Sequence, residues 1–171
     1  AEAGDTSELE APVAPSLVEP AWERSTHGKE EEFARAVSLG LFDYLRKSRS
    51  RGWVVSLSGG ADSSAVSTLC ALAIRLAVTQ IGLTRTQEKL AYISSLADAN
   101  SAEVIIGRML TCVYQSTRNS GEVTRSAARD VATALGAELL EFDVDAIGDP
   151  TIDRIRATHI KRFRRWRHPL G

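Results

Sequence analysis

The run Val54-Val55-Ser56-Leu57-Ser58-Gly59-Gly60-Ala61-Asp62-Ser63-Ser64 decides how this chain is read. An apolar, β-branched stretch stops at two glycines. An acid and two hydroxyls follow, and a helical apolar pattern opens at Ala65. The order is strand, tight loop, helix start. Gly59 and Gly60 let the backbone turn and approach a ligand with no Cβ in the way. The N–H groups of the loop and of the first helical turn converge on one point, which suits an anion and above all a phosphate. Ser58, Ser63 and Ser64 offer hydroxyl donors. Asp62 would repel a bare phosphate, so its presence implies a bridging cation such as Mg²⁺. With no ligand, the same residues read as a glycine turn capped by serine and aspartate.

The loop lacks the Gly-Lys-Ser/Thr of a Walker A sequence. Ser58-Gly59-Gly60-Ala61-Asp62-Ser63 instead resembles the pyrophosphate loop of the N-type ATP pyrophosphatases, which split ATP between its α- and β-phosphates. The resemblance implies an adenine nucleotide alpha hydrolase-like, Rossmann-like fold. It implies that Ser58, Gly59, Gly60, Ala61, Asp62, Ser63 and Ser64 hold ATP, with Asp62 on Mg²⁺.

The rest of the pattern fits a parallel α/β sheet with flanking helices. Residues 1–28 are rich in Ala, Pro and Glu and show no sustained apolar period, as expected of a linker or disordered arm. From Lys29 to Lys47, Phe33, Val37, Leu41, Tyr44 and Leu45 recur at helical spacing, with acids first and bases last. Trp53 to Leu57 reads as a short buried strand and Ser63 to about Val78 as a helix. A helix from Thr84 to Leu96 is expected, with Thr84 as N-cap and Gln87 completing a capping box. Met109 to Tyr114 reads as the second strand. Gly121 to Leu135 reads as a helix closed by Gly136, and Glu138 to Val144 as the third strand.

Open parallel sheets bind ligands at the carboxyl ends of their strands. The first such end carries the glycine loop. The second carries Tyr114-Gln115-Ser116-Thr117-Arg118-Asn119-Ser120, and Gln115, Ser116, Thr117, Arg118 and Asn119 are its candidate nucleotide or substrate contacts. The third carries Asp143 and Asp145. Taken singly, the second run also reads as an ordinary polar loop with Ser120 capping the next helix. The two aspartates read equally well as helix caps.

The run Leu110 to Ser120, with Lys29 to Phe33 and Leu41 to Arg46 upstream, resembles the synthetase domain of glutamine-dependent NAD synthetase over roughly residues 22–147. That resemblance implies ATP-dependent amidation of deamido-NAD to NAD through an acyl-adenylate, with ammonia or glutamine as nitrogen source and release of AMP and pyrophosphate. It implies a ligase, a homo-oligomer and a cytoplasmic enzyme; its catalytic residues stay unassigned. The family's amino-terminal glutaminase domain, with its Cys-Glu-Lys centre, has no counterpart here. The resemblance weakens after residue 147, where residues 148–171 form a basic, divergent tail, so the synthetase domain of 29–147 is expected to be partial at its carboxyl end. Two other readings stay open: a nucleotide-binding remnant without turnover, and another ATP pyrophosphatase such as a tRNA-modifying enzyme, to which the basic tail would lend itself.

A formal net charge of -1 gives no global electrostatic case for nucleic acid. Cys70 and Cys112 both sit in apolar surroundings and read as buried free thiols, with no metal-type spacing. The apolar stretch from Ala65 to Val78 is interrupted by Ser67, Thr68 and Arg75 and falls short of a bilayer span, so no membrane partner is expected.

Overall fold

A computed structural model describes residues 21–145 together with Gly148, Pro150 and Asp153. Residues 1–20 of the arm expected over 1–28, and nearly all of the expected tail over 148–171, lie outside the described residues, while 21–28 of that arm form a 3-10 turn and the start of a helix.

The chain divides into two units after Phe33. In the first, a 3-10 turn at Ala21–Arg24 leads to Gly28, where helix α1 (Gly28–Ser48) begins. Acids in its first turn and Arg46 and Lys47 in its last match the helix dipole.

The second unit is a three-stranded parallel sheet in the order β1-β2-β3, formed by β1 (Trp53–Ser56), β2 (Leu110–Ser116) and β3 (Glu138–Asp143). Val55 lies beside Cys112, and Cys112 beside Leu139. These positions share one face with Leu57, Leu110 and Tyr114. Val55, Leu57, Leu110, Cys112 and Tyr114 pack into the core with α2 (Ala61–Ile81) and α5 (Glu122–Leu135). Phe42 and Leu45 of α1 join the same core, and Ser38 donates a hydrogen bond to the Leu69 carbonyl of α2.

The opposite face carries Val54, Ser56, Thr111, Val113, Gln115, Leu140 and Phe142. Its flanks are open among the described residues, with Val54 76% exposed and Phe142 47%, while Val113 on the central strand is buried. The expected buried strand is therefore half right. Val55 and Leu57 are buried, but β1 is an edge of the described sheet, and its other side faces outward.

Helix α2 is longer than the apolar stretch that marks it, 21 residues against a core of Ala65 to Val78. Its length and composition would allow a membrane span. Its neighbours are β1, β2, α5 and the helices α3 (Leu83–Lys89) and α4 (Ala102–Met109), and Cys70, Ala71, Ala73 and Ile74 on one side of it are buried in the core.

The segment between α2 and β2 departs most from expectation. The helix starts at Leu83 after Gly82 and stops at Lys89, and Thr84 does not cap it. Gln87 does not close a capping box: its amide donates to the carbonyls of Leu96, Ala97 and Ala99 and organises the turn that follows. A 3-10 turn at Ser94–Leu96 then leads to α4, where the Ser101 hydroxyl accepts from the Val104 N–H. Sequence periodicity misses α4 because Val104-Ile105-Ile106 runs into the apolar strand behind it. Helix α5 and its cap stand as read: Gly136 has a left-handed φ of 72°.

Candidate phosphate-binding loop

The Leu57 N–H donates to the Val113 carbonyl at 2.8 Å, so the β1 ladder runs one residue past the strand. The chain then reverses through Ser58, Gly59 and Gly60 into α2. Gly59 has φ +80°, a left-handed conformation that favours glycine. A Cβ there would stand 2.3 Å from the carbonyl oxygen of Thr124 in α5. Gly60 differs. Its φ of -95° suits any residue, and an added Cβ would meet only the Ser58 hydroxyl at 3.4 Å. Gly59 is thus glycine for the protein's own packing, and the fold leaves Gly60 free to serve a ligand.

The hydroxyls of the loop bond to one another and to the loop's own backbone. Ser63 and Ser64 both donate to the Gly60 carbonyl, at 3.1 and 2.8 Å. With its proton committed, the Ser63 oxygen accepts from the Ser58 N–H and from the Ser58 hydroxyl. The donors left for an anion are backbone N–H groups of the first turn of α2, at Ala61, Asp62 and Ser63, which have no acceptor within a helix. No side chain caps that end. This narrows the sequence expectation: the serine hydroxyls bond within the loop, and main-chain N–H groups are the donors left over.

Asp62 sits exposed in the first turn of α2. No cluster of three metal-ligating side chains occurs among the described residues. A lone carboxylate fits a Mg²⁺ that takes its other ligands from phosphate oxygens and water, the usual arrangement for that ion.

The second and third strand ends lie on the same sheet edge as the loop, because all three strands are parallel neighbours. The five candidates there separate. Gln115 lies on the open face and accepts a hydrogen bond from Ser56 at 3.1 Å. Ser116 is buried and donates to the Phe142 carbonyl, a structural role. Thr117 and Asn119 form a tight turn in which the Ser120 hydroxyl accepts from the Thr117 N–H. Ser120 therefore closes that turn, and Gly121 is the residue that caps α5. Arg118 meets Asp145, whose carboxylate takes both the Arg118 backbone N–H and its guanidinium.

Two further residues shape the site. Asp145, read from sequence as part of the third strand end or as a helix cap, is brought to Arg118 only by the fold. Thr124 gives no sequence signal, since its place under Gly59 depends on the packing of α5 against α2, β2 and β3.

The cysteines stand apart from this chemistry. Both are buried and free. Burial pushes the Cys70 thiol up to about 11 and raises Cys112 as well, opposite to what a nucleophile needs.

Comparison with known proteins identifies the family and agrees with the fold. A family model described as NAD synthase matches residues 33–162. This chain belongs to the NAD synthase family. The match continues past residue 147 into the start of the basic tail. A glutamine-dependent NAD(+) synthetase from Oryza sativa is 36% identical over 126 residues, covering 71% of this chain and 17% of that protein. The Mus musculus enzyme of the same name is 30% identical over 145 residues, 78% of this chain and 19% of its own length. The crystal structure of a glutamine-dependent NAD(+) synthetase from Cytophaga hutchinsonii superposes with a TM-score of 0.72 at 42% identity, over 76% of this chain and 24% of that one. The chain thus spans about a fifth of the curated NAD synthetases it matches.

Proposed function

We propose that this chain provides the ATP-binding part of a synthetase that amidates deamido-NAD to NAD. The glycine loop carries the proposal. It pairs a strand end with the uncapped N-terminus of a 21-residue helix, and its hydroxyls are already satisfied, so backbone donors face an incoming pyrophosphate. In the proposed reaction a carboxylate oxygen of the nicotinate bonds to the α-phosphorus of ATP and pyrophosphate leaves. Ammonia, supplied free or from glutamine, then attacks the acyl carbon and AMP departs. A Mg²⁺ held between Asp62 and the phosphates would neutralise charge on the leaving pyrophosphate. The protein's share is to position the phosphates and to meet developing negative charge with fixed N–H dipoles.

Titrating ATP with Mg²⁺ into the chain by calorimetry tests the reading. Saturable binding that Asp62→Ala weakens is expected. Absence of binding, or equal binding by both proteins, overturns it.

A second reading, binding without turnover by these 171 residues alone, is favoured by the 24% of the matched NAD synthetase structure that they span. Following NAD formation from deamido-NAD, ATP and Mg²⁺ with ammonia or with glutamine separates the two. Robust turnover with either nitrogen source discards the second reading.

A further inference from the structure

We propose that Tyr114 and Thr124 are positioning residues for the phosphate loop, acting through the contact between Thr124 and Gly59. The inference rests on the assignment of that loop to pyrophosphate. Gly59 lies so close to α5 that an added Cβ would be within 3.0 Å of the oxygen, carbon and Cα of Thr124. The floor of the loop is therefore the backbone of the first turn of α5.

That turn is tied to the sheet by one chain of hydrogen bonds. The Thr124 hydroxyl donates to the Gly121 carbonyl at 2.9 Å. Its single proton is then used, so its contact with the Tyr114 hydroxyl, also 2.9 Å, has Tyr114 as donor. Tyr114 cannot shift: its ring is 3% exposed in the core, on β2 beside β1, and the Arg125 guanidinium lies 5.9 Å from its centre. The order of support runs from core strand to Tyr114, to Thr124, to Gly59, to the N–H groups that would meet phosphate. A small displacement of reacting groups costs far more in positioning than in stability. Loosening Thr124 should therefore be read at the ligand site.

The test uses inorganic pyrophosphate with Mg²⁺ as probe, titrated by calorimetry into the full 171-residue chain, with each thermal midpoint as control. Tyr114→Phe and Thr124→Val remove the bond between the two side chains while keeping shape. Thr124→Ser keeps the hydroxyl. The expected result is a Kd raised about three- to tenfold in the first two variants and unchanged in Thr124→Ser. A purely structural role would lower the midpoint and leave the Kd alone. Equal affinity in all four proteins, or loss in Thr124→Ser equal to that in Thr124→Val, overturns the positioning role while leaving the pyrophosphate assignment in place. No binding by the wild type overturns that assignment and this inference with it.

Discussion

Asp145 holds Arg118 at two points: one carboxylate oxygen accepts from both the backbone N–H and the side chain of the arginine. The partners stand 27 residues apart and join the second strand end to the third. The Val144 N–H donates to the Ser116 carbonyl beside them, at 3.0 Å. The polar run after β2 is thus a fastened turn on the edge where the glycine loop opens.

Asp145→Ala should remove both of these bonds to Arg118 and loosen the turn over Thr117 to Ser120. Arg118 is 64% exposed, so the cost to global stability should stay small, below about 1 kcal/mol. Amide exchange at Arg118 should rise well above that at Leu110 to Val113. Unchanged protection at Arg118 would show that the carboxylate does not hold the turn.

The two loop glycines should part company. Gly59→Ala forces a Cβ onto the Thr124 carbonyl in a left-handed backbone conformation, at a cost of at least about 2 kcal/mol. Gly60→Ala should stay within about 1 kcal/mol of wild type and still weaken nucleotide binding, because its Cβ would crowd the Ser58 hydroxyl, 3.4 Å away, where the loop enters α2. Denaturant unfolding and ATP titration on the same two variants are the measurements. Equal destabilisation, or full affinity in Gly60→Ala, would contradict the division of roles.

Gln87 should matter more than its half-exposed position suggests. Its amide serves three carbonyls of the turn before α4. Gln87→Met keeps the length and removes the donors, leaving partly buried carbonyls to find water. A loss of about 1–3 kcal/mol in urea unfolding is expected. A wild-type midpoint would mean that the turn holds itself.

The cysteines make a pH prediction. Burial raises the Cys70 thiol to about 11, above the value of roughly 8.5 expected in an unfolded chain. The folded pKa is the higher one, so the thiol's contribution to stability is intact below the unfolded value. It is lost as pH rises through the window between the two values. Stability should fall on that limb and the fall should shrink in Cys70→Ala. At pH 8 a thiol reagent should label neither cysteine until urea unfolds the chain. Rapid labelling of the native protein would place Cys70 at the surface.

The sequence by itself determined the strand-loop-helix from Trp53 to about Val78, the helix ending at Gly136 and the alternation that makes a parallel sheet. Each rests on signals a few residues long: a glycine pair after β-branched residues, an apolar period, a left-handed cap. Only the tertiary structure decided which glycine is obligatory, that Gln87 feeds a later turn, and that Ser116 is buried while Gln115 lies on an open face. It also brought Thr124 under Gly59 and Asp145 to Arg118. Those relations join residues far apart in the chain, and they depend on strand order, register and helix packing. No local pattern of residue types carries that information, because the same threonine or aspartate would look identical in sequence wherever the sheet had placed it.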